Sequence, residues 1–166
     1  AWVTPAQGGS LRMFLCKDQR PVTARLLKLE TEEKDNKLNT HAASLTYRKN
    51  VLAVAGKLRK TLEDLKAQGK KLAGYGAAAK GFTILKCSDI GEKFIDYFVD
   101  DSPAKQGLYT PVSHIPIISR KEAEKKLPDY FVILAPNYAK FIMEKEKGFI
   151  EKGGRFILPV GNIDII

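Results

Sequence analysis

The chain has 166 residues, 44% of them hydrophobic, which is enough to bury one real core and suits a single domain with at most an appendage. A net charge of +9 invites a nucleic-acid reading, but Lys57, Arg59, Lys60, Lys66, Lys70, Lys71, Lys121, Lys125 and Lys126 are interleaved with acids. That is the pattern of solvated helix faces, and the remaining basic balance suits a small anionic ligand such as a nucleotide diphosphate. The only cysteines, Cys16 and Cys87, lie far apart with no CxxC or Cys/His spacing, which excludes a zinc framework and a disulfide scaffold. The longest apolar runs, such as Tyr130 to Pro136, are too short to cross a bilayer, and no signal peptide is visible. These features predict a cytoplasmic protein with no membrane or nucleic-acid partner. The chain starts at Ala1 within apparent strand sequence, so it is expected to be a piece of something longer.

In chain order, Ser10 to Cys16 reads as a short strand and Lys17 to Lys37 as polar loop and linker. Leu38, Leu45, Leu52, Ala55, Leu58, Leu62 and Leu65 then recur at three- and four-residue spacing, predicting a long helix to about Gln68 that Gly69 ends. Residues 1–37 are therefore assigned to the end of a preceding domain and its linker, and 38–166 to a second domain led by that helix. From Lys71 onward strand and helix alternate. Strands are expected at Leu72 to Gly74, Ile95 to Val99, Ile115 to Ile118, Tyr130 to Ala135 and Phe156 to Pro159. Helices are expected at Ala77 to Ser88, Arg120 to Leu127 and Tyr138 to Lys152. Nearly all-apolar strands separated by helices predict an α/β, Rossmann-like, doubly wound parallel sheet of about five strands.

The run Lys71 to Gly81 (KLAGYGAAAKG) joins a strand end, a Gly-x-Gly turn and an alanine-lined helix start. Gly74, Gly76 and Ala79 fit the dinucleotide fingerprint G-x-G-x-x-G/A, and free amides with a positive dipole end would face the same space. In such sheets the crevice lies past the carboxyl ends of the strands. That places Tyr75, Gly76, Asp100, Asp101, Ser119, Pro136, Asn137, Gly161 and Asn162 near it. Each has a plainer competitor. The turn could be a tight connection, Asp100 could cap its own turn, Lys80 could cover a solvent face, and Asn137 could cap the helix expected at Tyr138. His41 falls on the apolar face of the long helix, where a core or interface histidine is expected, and His114 precedes a strand and so points away from the crevice.

The run GYGAAAKGFTILKCSDIGEKFIDYFVDDSPAKQGLYTPVSHIPI, then LPDYFVILAPNYAKFIMEKE and GGRFILPV, resembles the C-terminal domain of the SAM-dependent sugar C-methyltransferases, whose members act on nucleotide-linked deoxysugars. The resemblance runs from about Gln7 to Pro159. The turn with Lys80 and Gly81 matches the family's GYGAxxKG, and Asp100, Pro103, Lys105, Gln106 and Gly107 match its D-x-x-P-x-K-Q-G. Asn137 matches the asparagine after the fourth strand. The chain departs at Gln7, where the family has histidine, at Pro136, where tryptophan is common, and at Pro111-Val112-Ser113, where Pro-Gly-Thr is common.

The resemblance implies a C-terminal nucleotide-sugar-binding domain that positions its ligand for methyl transfer to a ring carbon. Its substrate-binding residues would be Gly74, Tyr75, Gly76, Ala77, Lys80, Asp100, Lys105 and Asn137, with no catalytic residue and no metal ligand. SAM would be bound by an upstream methyltransferase domain, which would be this domain's partner, and zinc by an N-terminal domain. The piece alone would be inactive. Two other classes fit the glycine run: an NAD(P)- or CoA-binding Rossmann domain, and a degenerate Rossmann scaffold for interactions.

Overall fold

The computed structural model describes residues 1–111 and 113–166, with Gln7 described by its backbone only, so the sequence departures at the Gln7 side chain and at Val112 lie outside it. The chain divides into two compact units, Ala1–Lys49 and Asn50–Ile166. In the first, β1 (Trp2–Thr4) pairs antiparallel with β2 (Ser10–Arg12), and the turn between them carries Gly8 and Gly9 at positive φ. The strand expected to run to Cys16 thus stops at Arg12, and the Met13-Phe14-Leu15 run beyond it is exposed.

The expected loop from Lys17 to Lys37 is instead largely helix: α1 spans Ala24–Asp35. Thr23 caps it, its hydroxyl accepting from the Leu26 amide, and Lys28 and Glu32 pair one turn apart. No α1 residue is buried, so hydrophobic periodicity could not reveal it; Ala, Leu, Lys and Glu propensity forms it. The long helix α2 spans His41–Ala67 and buries Ala55, Leu58, Leu62 and Leu65. His41 is exposed, which corrects the core half of the expectation that it is a core or interface histidine.

The second unit holds a six-stranded sheet in the order β5-β4-β3-β6-β7-β8. Its strands are β3 (Leu72–Tyr75), β4 (Phe98–Val99), β5 (Ile117–Ile118), β6 (Tyr130–Ile133), β7 (Arg155–Leu158) and β8 (Asp164–Ile165). The first five are parallel; β8 returns antiparallel along β7 and is the one strand beyond the five expected. Chain order runs outward from β3 through β4 and β5, then restarts on the opposite side at β6. That reversal creates a crevice at the carboxyl ends of β3 and β6.

Side chains alternate between two cores. Leu72, Phe98, Val132, Leu134 and Ile157 join the α2 leucines and Leu85 on one face. Ala73, Tyr75, Val99, Phe131, Ile133 and Phe156 meet Ala139, Ile142 and Phe149 on the other. Burying each leucine or phenylalanine fully contributes about 1.5–3 kcal/mol, so both faces matter. Helix α3 spans Ala79–Cys87, two residues later than expected. Helix α4 is a single turn, Arg120–Ala123, continued by a 3-10 turn at Glu124–Lys126. The helix expected from Tyr138 to Lys152 is split into α5 (Ala139–Lys145) and α6 (Lys147–Glu151), with Glu146 at the break.

Candidate functional site

The crevice is built from the exits of β3 and β6. Gly76 turns the chain at φ +87, a backbone angle that favours glycine, and a Cβ there would come within 3.1 Å of the Ala135 Cβ. Gly74 serves a different end. It lies within β3, and a Cβ on it would fall 2.2 Å from the Phe98 ring, so its absent side chain accommodates Phe98 rather than a ligand. Gly81 does likewise for α3, where a Cβ would come 2.4 Å from that of Leu134.

The amides of the turn were expected to be free, and the structure corrects this. Gly76 N–H donates to the Val99 carbonyl at 2.7 Å, Ala78 N–H to the Gly76 carbonyl at 3.0 Å, and Ala77 N–H to Asp100 Oδ2 at 2.7 Å. Helix α3 begins only at Ala79, so two of the alanines belong to the turn; Ala79 and Lys80 are exposed at its first turn.

Asp100 directly follows β4, is only 8% exposed, and is fully engaged within the fold. Its Oδ1 accepts from Ser102 N–H at 2.9 Å, the self-capped turn weighed above, and its Oδ2 accepts from Ala77 N–H and from Lys105 Nζ at 3.1 Å. Lys105 also donates to the Ala77 carbonyl at 2.9 Å, and Gln106 donates its amide to the Asp100 carbonyl at 3.0 Å. The D-x-x-P-x-K-Q-G stretch is therefore a loop that braces itself and the glycine turn together.

Tyr75 is buried on the opposite face from Gly74, and its hydroxyl donates to Glu146 at 2.9 Å. Glu146 is itself buried and also receives Arg120 Nε at 2.8 and 2.9 Å. Burial first, then the Glu146 carboxylate, pushes the Tyr75 phenol above its ordinary range. Next to Glu146, Lys145 donates to Asp101 at 2.6 Å. The break between α5 and α6 thus reaches the exits of β3, β4 and β5. Sequence reasoning passed over Glu146 and Arg120. A signal existed: Glu146 stands four residues after Ile142 and three before Phe149, on their apolar face.

Of the remaining candidates, Ser119 is the N-cap of α4 in a reciprocal pair with Glu122; the Ser119 amide and then its hydroxyl hold the Glu122 carboxyl below the usual range. Asn137 lies in the 3-10 turn Pro136–Tyr138 before α5, not at a helix cap, and is exposed at the β6 side of the crevice. Gly161 and Asn162 lie between β7 and β8. His114 lines a groove with Arg59, Asp89 and Phe94 beside the segments that enter β4 and β5, away from the crevice as expected.

Among the described residues no group of three or more His, Cys, Asp or Glu side chains could hold a metal ion, and no helix is long and apolar enough to cross a membrane. The residues also do not fit an adenosyl cofactor at the glycine turn. Asp100, which would take a ribose hydroxyl, is buried and engaged by three donors.

A family model described as the C-methyltransferase C-terminal domain matches residues 5–161. The chain is also 35% identical over 158 residues to the C-methyltransferase NovU of Streptomyces niveus, an alignment that covers 92% of this chain and 37% of that protein.

Proposed function

The chain belongs to the family of C-methyltransferase C-terminal domains, and from that premise we propose that it holds a nucleotide-linked sugar while a ring carbon of that sugar is methylated. The observation that supports the reading is the reversal of sheet order between β3 and β6, with exposed Lys80 on the first turn of α3 after β3 and exposed Asn137 in the turn after β6. Lys80, exposed on the first turn of α3, suits the diphosphate of a sugar nucleotide, while Lys105 is proposed to act through the turn it braces by bonding Asp100 and the Ala77 carbonyl. Gly74, which makes room for Phe98, and Tyr75, whose side chain is buried on the opposite face, shape the turn in this proposal, as do Gly76 and Ala77, whose amides are held by Val99 and Asp100.

In this proposal SAM would be held by residues outside this chain and would supply the methyl group. A base outside this chain would remove the proton beside the sugar ketone, and the ring carbon so activated would take the methyl group. This chain contributes positioning, which is a large share of many rate enhancements, and is inactive alone. The partner is the upstream methyltransferase domain, and the exposed Leu38, Leu45 and Leu52 suit a surface it would cover. Zinc belongs with a further N-terminal domain and the setting is cytoplasmic, both as parts of the same proposal.

The test is Lys80→Ala in the full-length enzyme. Losing one charge-assisted hydrogen bond should weaken sugar-nucleotide binding by about 1–3 kcal/mol and raise KM, with the melting temperature nearly unchanged. An unchanged KM would remove Lys80 from the site.

A further inference from the structure

We propose that Asp100 is a resident anion of the glycine turn, a specificity device that bars dinucleotide pyrophosphates from it. In a dinucleotide-binding sheet the glycine-turn amides point at the ligand's pyrophosphate. Here all three amides after Tyr75 have internal acceptors, and the acceptor for Ala77 is a carboxylate oxygen at 2.7 Å. That carboxylate is buried, and Lys105 closes the bracket by bonding both Asp100 Oδ2 and the Ala77 carbonyl. A pyrophosphate entering the turn would find no free amide there and would have to displace a carboxylate already held by the Ala77 amide and the Lys105 ammonium. An anion can still meet Lys80 and the first turn of α3, one step further along the crevice. The same sequence fingerprint therefore serves a different ligand geometry, and Asp100 and Lys105 separate the two. The inference concerns the turn alone and holds whatever sugar or base the crevice takes.

Inorganic pyrophosphate and NAD are the probes, with thermal unfolding and amide NMR on the chain and its Asp100→Ala and Lys105→Ala variants. In the unaltered chain the Ala77 amide resonance should stay in place as pyrophosphate is added. Asp100→Ala leaves the Ala77 amide and the Lys105 ammonium facing an empty anion position. It should melt at a lower temperature in chloride, regain stability with pyrophosphate, and bind pyrophosphate at least about tenfold more tightly than the unaltered chain. Lys105→Ala keeps the carboxylate in place and should show no such rescue. A saturable shift of Ala77 in the unaltered chain would overturn the proposal, as would a folded Asp100→Ala that responds to pyrophosphate no more than the unaltered chain does. Should Asp100→Ala fail to fold even with pyrophosphate, the Ala77 resonance of the unaltered chain decides the matter by itself.

Discussion

A methyl group added at Gly81 would come 2.4 Å from the Leu134 Cβ and 2.8 Å from its carbonyl oxygen, and the second of these contacts is backbone that cannot swing aside. Gly81→Ala should therefore cost about 1–3 kcal/mol through overpacking, while Gly91→Ala, with nothing within 4 Å of the new Cβ, should stay within about 0.5 kcal/mol. Urea midpoints of the two variants check this, and equal midpoints would mean that α3 is free to move off β6. The glycines also show what local sequence conceals. The fingerprint singled out Gly74 and Gly76 together, yet one is empty for Phe98 and the other for a positive φ. Which of these a glycine serves depends on cross-strand register, here Gly74 opposite Phe98, and no eleven-residue window contains that. Asp100 was legible as a residue at a strand exit but not as a partner of Ala77, because its bond spans 23 positions.

At the scale of elements, the parallel core and the leucines of α2 were legible because apolar periodicity marks whatever is buried. What escaped lacks that signal: α1 has no buried residue, and both residues of β8 are exposed. Helix α2 itself changes character along its length. Its buried residues begin at Ala55, whereas Leu45 is 51% and Leu52 is 53% exposed. Amides from His41 to Leu52 should accordingly exchange with deuterium faster than those from Ala55 to Ala67. Uniform strong protection along α2 in a monomer would contradict this, and would also weaken the proposal that an upstream domain covers those leucines.

Across the whole molecule two buried phenols tie separate elements together. Tyr75 bonds Glu146, and Tyr97 donates to the Lys126 carbonyl at 2.7 Å. Burial pushes Tyr97 up to about 12 from an ordinary value of 10.0, so the folded state favours the neutral phenol. The stabilisation is full below pH 10 and is lost as pH rises from 10 toward about 12, because the unfolded chain ionises first. Urea midpoints over that window should fall less steeply for Tyr97→Phe than for the unaltered chain; parallel slopes would show that the phenol is not held neutral.

The central claim is that the crevice at the exits of β3 and β6 takes a nucleotide-linked sugar and not a dinucleotide. Titration calorimetry of the chain with TDP, UDP, NAD and SAM, repeated for Lys80→Ala, puts it to the test most directly. A nucleoside diphosphate should bind more tightly than NAD or SAM, and Lys80→Ala should lose about 1–3 kcal/mol of that affinity. Tighter binding of NAD, unaffected by Lys80→Ala, would contradict it.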